Sequence, residues 1–210
     1  MDYNILKLRI LSSFFIILFF LFFLTIGTNY LWLLFLILYA IIIFEISNNF
    51  ISIKNKLFLY VYIIISFIFL QLYLFYYFQI IDFIIIILTI TIFDTSSYFL
   101  GSLIGRKKIF LSISPNKTYE GLILGIFFTI IAMTIFNYLF TNFYVFSFLL
   151  IILSIIILSF IGDIIESYFK RLSNIKNSSM LIPGHGGFLD RFDSFILVTY
   201  GIFLYKFIIN

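Results

Sequence analysis

The chain has 210 residues, 64% of them hydrophobic, 23% aromatic and only 10% charged, with a formal net charge of +4. Soluble domains average roughly 45–50% apolar and about 25% charged residues, so a mean hydropathy of +1.23 excludes a water-soluble globule and calls for lipid around 32 Phe and 15 Tyr. The absence of Cys excludes disulfides and thiolate chemistry, and with a single His it argues against a zinc site.

A membrane-crossing helix needs about 20 mostly apolar residues. Read in chain order, the sequence predicts seven: 10–27, 30–47, 57–78, 81–104, 121–139, 143–165 and 194–209. The first follows Lys7 and Arg9 like a signal peptide, but no A-x-A-like cleavage site comes after it and a second apolar run begins at once, so it reads as a membrane helix. The 57–104 stretch reads as two spans, with three shorter pieces as the alternative. The predicted fold is therefore all-α and polytopic. N-terminal helices occupy 1–80 and a C-terminal catalytic region 81–210, in one continuous membrane domain.

With the N-terminus inside and the helices alternating, Lys7, Arg9, Lys54, Lys56, Arg106, Lys107, Lys108, Lys117, Lys170, Arg171, Lys176 and Arg191 all face the cytoplasm. Only Lys206 of the thirteen basic residues falls outside, as the positive-inside rule requires. The expected location is the inner (cytoplasmic) cell membrane, with the site at its cytoplasmic edge. An anionic partner fits this charge; nucleic acid does not, because the basic groups adjoin helices that stay in lipid.

Both prolines lie in the two long inner connections, 105–120 and 166–193. Before the first, Asp94, Ser97 and Gly101 share a helix face, and Ser97, Gly101 and Gly105 form a small-xxx-small ladder. Such ladders pack helices together and also make a homodimer conceivable. Asp94 is a carboxylate inside an apolar span, which points to a cavity, a cation or a structured site. Ser114-Pro115-Asn116-Lys117-Thr118 reads as a turn into a helix capped by Thr118 or Asn116, with Glu120 in its first turn. Free N–H groups there, beside Lys117, suit a phosphate; a plain capped loop is the alternative.

The second connection is richer. Asp163, Glu166, Ser167 and Lys170 recur at helical spacing; Arg171 and Lys176 follow, then Pro183-Gly184-His185-Gly186-Gly187, then Asp190, Arg191 and Asp193. Glycines let backbone N–H groups approach a ligand, and carboxylates opposed by Lys and Arg suit a hard divalent cation with phosphate ligands. His185 reads either as a structural hydrogen-bonder or as a base.

From Ser167 through Lys170, Arg171, Lys176, Gly186 and Gly187 to Asp190, Arg191 and Asp193, residues and spacings resemble the phosphatidate cytidylyltransferase family. Asp94–Tyr98 and Ser114–Gly121 resemble that family's upstream stretch. The resemblance implies that the CMP moiety of CTP is transferred to phosphatidic acid, giving CDP-diacylglycerol and pyrophosphate. It also implies magnesium on Asp163 and Asp190, with potassium as a second ion. Asp193, Lys170, Arg171 and His185 join the expected catalytic set; Lys117, Ser167, Lys176, Gly186, Gly187, Arg191, Asp94 and Glu120 are expected to bind substrate. One position departs: Asn177 stands where the family has Asp, keeping shape and oxygen but losing charge. The competing readings are a CTP-dependent polyprenol or phytol kinase, a degraded and inactive relative, and a small ion transporter lined by Asp94, Asp163 and Glu45.

Overall fold

The computed structural model describes residues 30–182 and 186–209. The expected first span at 10–27, with Lys7 and Arg9, lies outside the described residues, as do Pro183, Gly184 and His185.

Six long helices are described: α1 (Leu31–Asn49), α2 (Ile53–Tyr76), α3 (Ile80–Ile104), α4 (Tyr119–Phe136), α5 (Val145–Leu172) and α6 (Leu189–Ile209). The 57–104 stretch thus forms two long helices, not three short ones. Runs of Ile, Leu and Phe adopt helices here because lipid offers the backbone no hydrogen-bond partners, so each segment must satisfy its own. Thr89, Thr91, Thr129 and Thr134 follow the same logic, each donating its hydroxyl to the carbonyl four residues back. A π-helical turn, Asn137–Thr141, extends α4.

Among the described residues, five helices are long and apolar enough to cross a bilayer, α1 to α5, with 22–39% of each most apolar stretch buried in the protein; the remaining surface is left for lipid. The last expected span, α6, is not one of the five and carries Asp190, Arg191, Asp193 and Lys206. The chain is an all-α, multi-pass membrane protein. One element lies outside that description: the connection expected as a loop at 105–120 contains an antiparallel hairpin, β1 (Lys108–Phe110) with β2 (Ser114–Thr118).

The chain divides into two units, one holding residues up to Tyr76 with Phe169–Asp193, the other Tyr77–Tyr168 with Ser194–Asn210. In the first, α1 packs on α2, with the Tyr39 and Ser66 hydroxyls 2.6 Å apart and both residues buried. Phe58 stacks on Phe169 at 5.0 Å between centroids.

In the second unit, α3 packs on α4 through the small-residue ladder. A Cβ on Gly121 would lie 2.6 Å from the Ser97 carbonyl oxygen and 2.8 Å from Gly101 Cα, and one on Gly125 would lie 2.7 Å from Ser97 Cβ. The ladder is therefore used within the chain, which removes it as an argument for pairing two copies. Across the same unit, Lys206 of α6 pairs with Asp82 of α3 at 2.5 Å. Removing one partner of a largely buried pair costs about 3–5 kcal/mol, whereas replacing both with apolar groups is often neutral. Asp82→Ala is therefore expected to lower the thermal midpoint in detergent, and adding Lys206→Met to restore much of it; equal midpoints for wild type and Asp82→Ala would refute this.

Candidate active site

In the first unit, the chain is turned sharply as α5 ends. Asn174 adopts a left-handed conformation (φ 56°), Ile175 N–H donates to Lys170 O at 3.0 Å, and Asn174 N–H donates to Arg171 O at 3.0 Å. This is a Schellman cap, with Asn in the place Gly usually takes. It leaves Lys170 on the last turn of α5, directed at the loop that follows.

That loop folds around two carboxylates. Asp190, in the first turn of α6, takes Lys170 Nζ at 2.8 Å and Ser178 N–H at 3.1 Å on one oxygen; Ser178 N–H at 3.0 Å and Gly187 N–H at 2.8 Å lie on the other. Gly186 has φ +88°, and a Cβ there would sit 2.6 Å from the Asp190 carboxylate, so Gly meets both the backbone and the steric demand. Ile182 N–H donates to Gly186 O at 2.8 Å.

The second carboxylate, Glu45 of α1, accepts Ser179 Oγ at 2.6 Å and Phe188 N–H at 2.8 Å on one oxygen. Its other oxygen accepts Ser178 Oγ at 3.1 Å and Leu189 N–H at 2.9 Å. Sequence reasoning singled out the glycines and Asp190 but assigned Glu45 only to the transporter alternative and passed over both serines. Arg171, Lys176, Asn177 and Arg191 are exposed at this surface, and Asp193 is half-buried.

The second unit gathers a separate set. Lys117, at the end of the hairpin, pairs with Asp163 of α5 at 2.5 Å and lies 4.6 Å from the Phe160 ring centroid. Asp163 also accepts the Ser167 hydroxyl at 3.2 Å, one turn further along α5. Asp94 accepts the Ser194 hydroxyl at 3.3 Å and interacts electrostatically with both Asp163 and Lys117. Glu166 is buried.

The start of α4 is a closed cap. Thr118 Oγ1 accepts Gly121 N–H at 3.1 Å, and Tyr119 N–H donates to Lys107 O at 3.0 Å. Glu120 points the other way, accepting the Arg106 N–H at 3.0 Å and the Lys107 N–H at 3.2 Å. Of the expected residues, the structure thus brings together Lys170, Gly186, Gly187 and Asp190 in one unit, and Lys117, Asp163, Ser167 and Asp94 in the other. Glu120 serves the hairpin.

A carboxylate has about four lone-pair sites. Asp163 shows two partners and keeps room for a hard cation such as magnesium. Asp190 has its sites filled by Lys170 and two backbone amides, and would join a metal only by releasing Lys170.

A model of the cytidylyltransferase family matches residues 47–209. The phosphatidate cytidylyltransferases of Staphylococcus saprophyticus and Staphylococcus haemolyticus are each 42% identical over 113 residues, covering 53% of this chain and 43% of theirs. That of Staphylococcus aureus is 42% identical over 118 residues, covering 55% of this chain and 44% of its own. The matched region spans less than half the length of these relatives.

Proposed function

The chain belongs to the cytidylyltransferase family, and from that premise we propose that it transfers the CMP moiety of CTP to phosphatidic acid, leaving CDP-diacylglycerol in the bilayer and releasing pyrophosphate. The observation that carries this reading is the polar stretch Ser167–Asp193, which lies within the family match and whose 178–189 loop folds around Asp190 and, from α1, Glu45.

An oxygen of the lipid phosphate attacks the α-phosphorus of CTP; the new P–O bond forms as the bond to the β-phosphate oxygen breaks. A phosphomonoester is mostly dianionic near neutral pH, its second pKa being about 6, so no protein base is needed. The work is to neutralise two anions and align them. Lys117, Lys170, Arg171, Lys176 and Arg191 supply positive charge, and Gly186 and Gly187 let the loop beside Lys176 close tightly on Asp190 and Glu45. Lys170 exchanges Asp190 for a phosphate when substrate enters. Asp163, with lone pairs to spare, would hold magnesium, which when bound neutralises phosphate charge; Asp190 would bind such an ion only once Lys170 has moved. The excess of basic residues supports a cytoplasmic position for these groups and for the N-terminus, where a soluble nucleotide would meet a headgroup whose acyl chains stay in lipid.

Membranes containing the protein are expected to convert labelled CTP and phosphatidic acid into a chloroform-soluble CDP-lipid only when magnesium is present. Absence of product across lipids and salts overturns the reading, and a lipid phosphate with free CDP would identify a kinase instead. In the same assay, Asn177→Asp is expected to reduce several-fold the magnesium needed for half-maximal rate, because it restores an acid beside Ser178, whose N–H Asp190 holds. An unchanged magnesium dependence would put Asn177 outside the site.

A further inference from the structure

Glu45 is 1% exposed near the end of an otherwise apolar helix, where a carboxylate is costly unless its lone pairs are filled. The donors that fill them come from one loop: two serine hydroxyls, Ser178 and Ser179, and two backbone amides, Phe188 and Leu189. Those amides open α6, so the positive end of the helix dipole faces the carboxylate. Gly187 lies flat against the same group, and a Cβ on it would stand 2.7 and 2.8 Å from the two Glu45 oxygens and still closer to Ser178 Oγ. Gly187 N–H meanwhile donates to Asp190. The Gly186–Leu189 backbone is thus held between two carboxylates, one from its own helix and one from a helix 133 residues or more earlier in the chain.

We propose that Glu45 is a positioning residue for the substrate-binding loop. It sets the Gly186–Gly187 backbone at the angle that meets the nucleotide, and it does not itself touch substrate. Its kinetic consequence rests on the cytidylyltransferase reading; its structural consequence does not. Charge and acceptor count both matter. A glutamine of the same size would turn an NH2 toward two donors, a serine hydroxyl and a backbone amide, and lose the attraction to the helix start.

The test compares wild type with Glu45→Gln and Glu45→Asp, purified as full chains in detergent. Hydrogen exchange is followed over residues 176–190, together with the thermal midpoint and the KM and kcat for CTP. In Glu45→Gln the Phe188 and Leu189 amides are expected to lose protection and KM for CTP to rise about tenfold, the scale typical of outer-shell partners. Glu45→Asp is expected to fall between the two. Unchanged protection and KM would overturn the proposal. So would a lower midpoint and less folded protein at wild-type KM, which marks a merely structural role.

Should Glu45→Gln not accumulate, the Ser178→Ala/Ser179→Ala double variant removes two of the four donors. The same shifts, smaller, are expected from it, and their absence overturns the proposal. If wild type makes no CDP-lipid, the activity reading falls, and exchange at Phe188 and Leu189 alone decides the positioning of the loop.

Discussion

Asp190→Ala is expected to lower CDP-lipid formation at least about a hundredfold, beyond any loss of folded protein. Four contacts vanish at once: Lys170, two with the Ser178 amide, and one with the Gly187 amide. Lys170 is only 12% exposed on its side chain and would be left opposite the vacated carboxylate position, and breaking such a pair costs about 3–5 kcal/mol. Much of that penalty falls on the loop, whose backbone at Gly186 is held at φ +88° against this carboxylate. Asp190→Asn separates the charge from the shape. Its side chain keeps one oxygen but presents an NH2 where N–H donors already point, so it is expected to be nearly as inactive as Asp190→Ala. The measurement is product formed per folded molecule, with folding judged by monodispersity in detergent. Full activity in either variant would remove Asp190 from the site and leave the proposed chemistry without its main carboxylate.

The second large effect is on folding. Gly121→Leu is expected to yield little folded protein, and Gly121→Ala a destabilisation of about 1–3 kcal/mol, the usual range for overpacking. The reason is contact with backbone: a Cβ at 121 meets the Ser97 carbonyl oxygen at 2.6 Å and Gly101 Cα at 2.8 Å, neither of which can rotate away as a side chain would. In lipid, helix association depends on this close approach, since no hydrophobic gain separates protein contact from lipid contact. Ile123→Ala, two residues along the same helix but 64% exposed, serves as the control and is expected to change the melting point little. Equal behaviour of Gly121→Leu and Ile123→Ala would show that the ladder does not hold α3 to α4.

The helices were legible because their cause is local. Whether twenty residues prefer lipid to water is a sum over those residues, so the 30–47, 81–104 and 143–165 stretches could be read directly and reappear as α1, α3 and most of α5. The small-residue ladder was legible as a packing face for the same reason, and Thr118 as a cap. The hairpin at 108–118 was not: its strands are short, interrupted by Pro115 and irregular in register, and they carry no alternating pattern. Its shape follows from Glu120 binding the Arg106 and Lys107 amides, a pairing that composition does not announce.

The sequence by itself determined that this is a multi-pass membrane protein, which stretches of it are polar enough for phosphate chemistry, and which family it resembles. Lipid solvation and motif spacing are properties of contiguous residues. Tertiary structure alone decided what the polar residues hold. Glu45 and the 178–189 loop meet across at least 133 positions, and only folding brings that carboxylate to the two serines and the first amides of α6. A buried charge must find its donors wherever the fold provides them, and that choice is made by geometry, not by spacing.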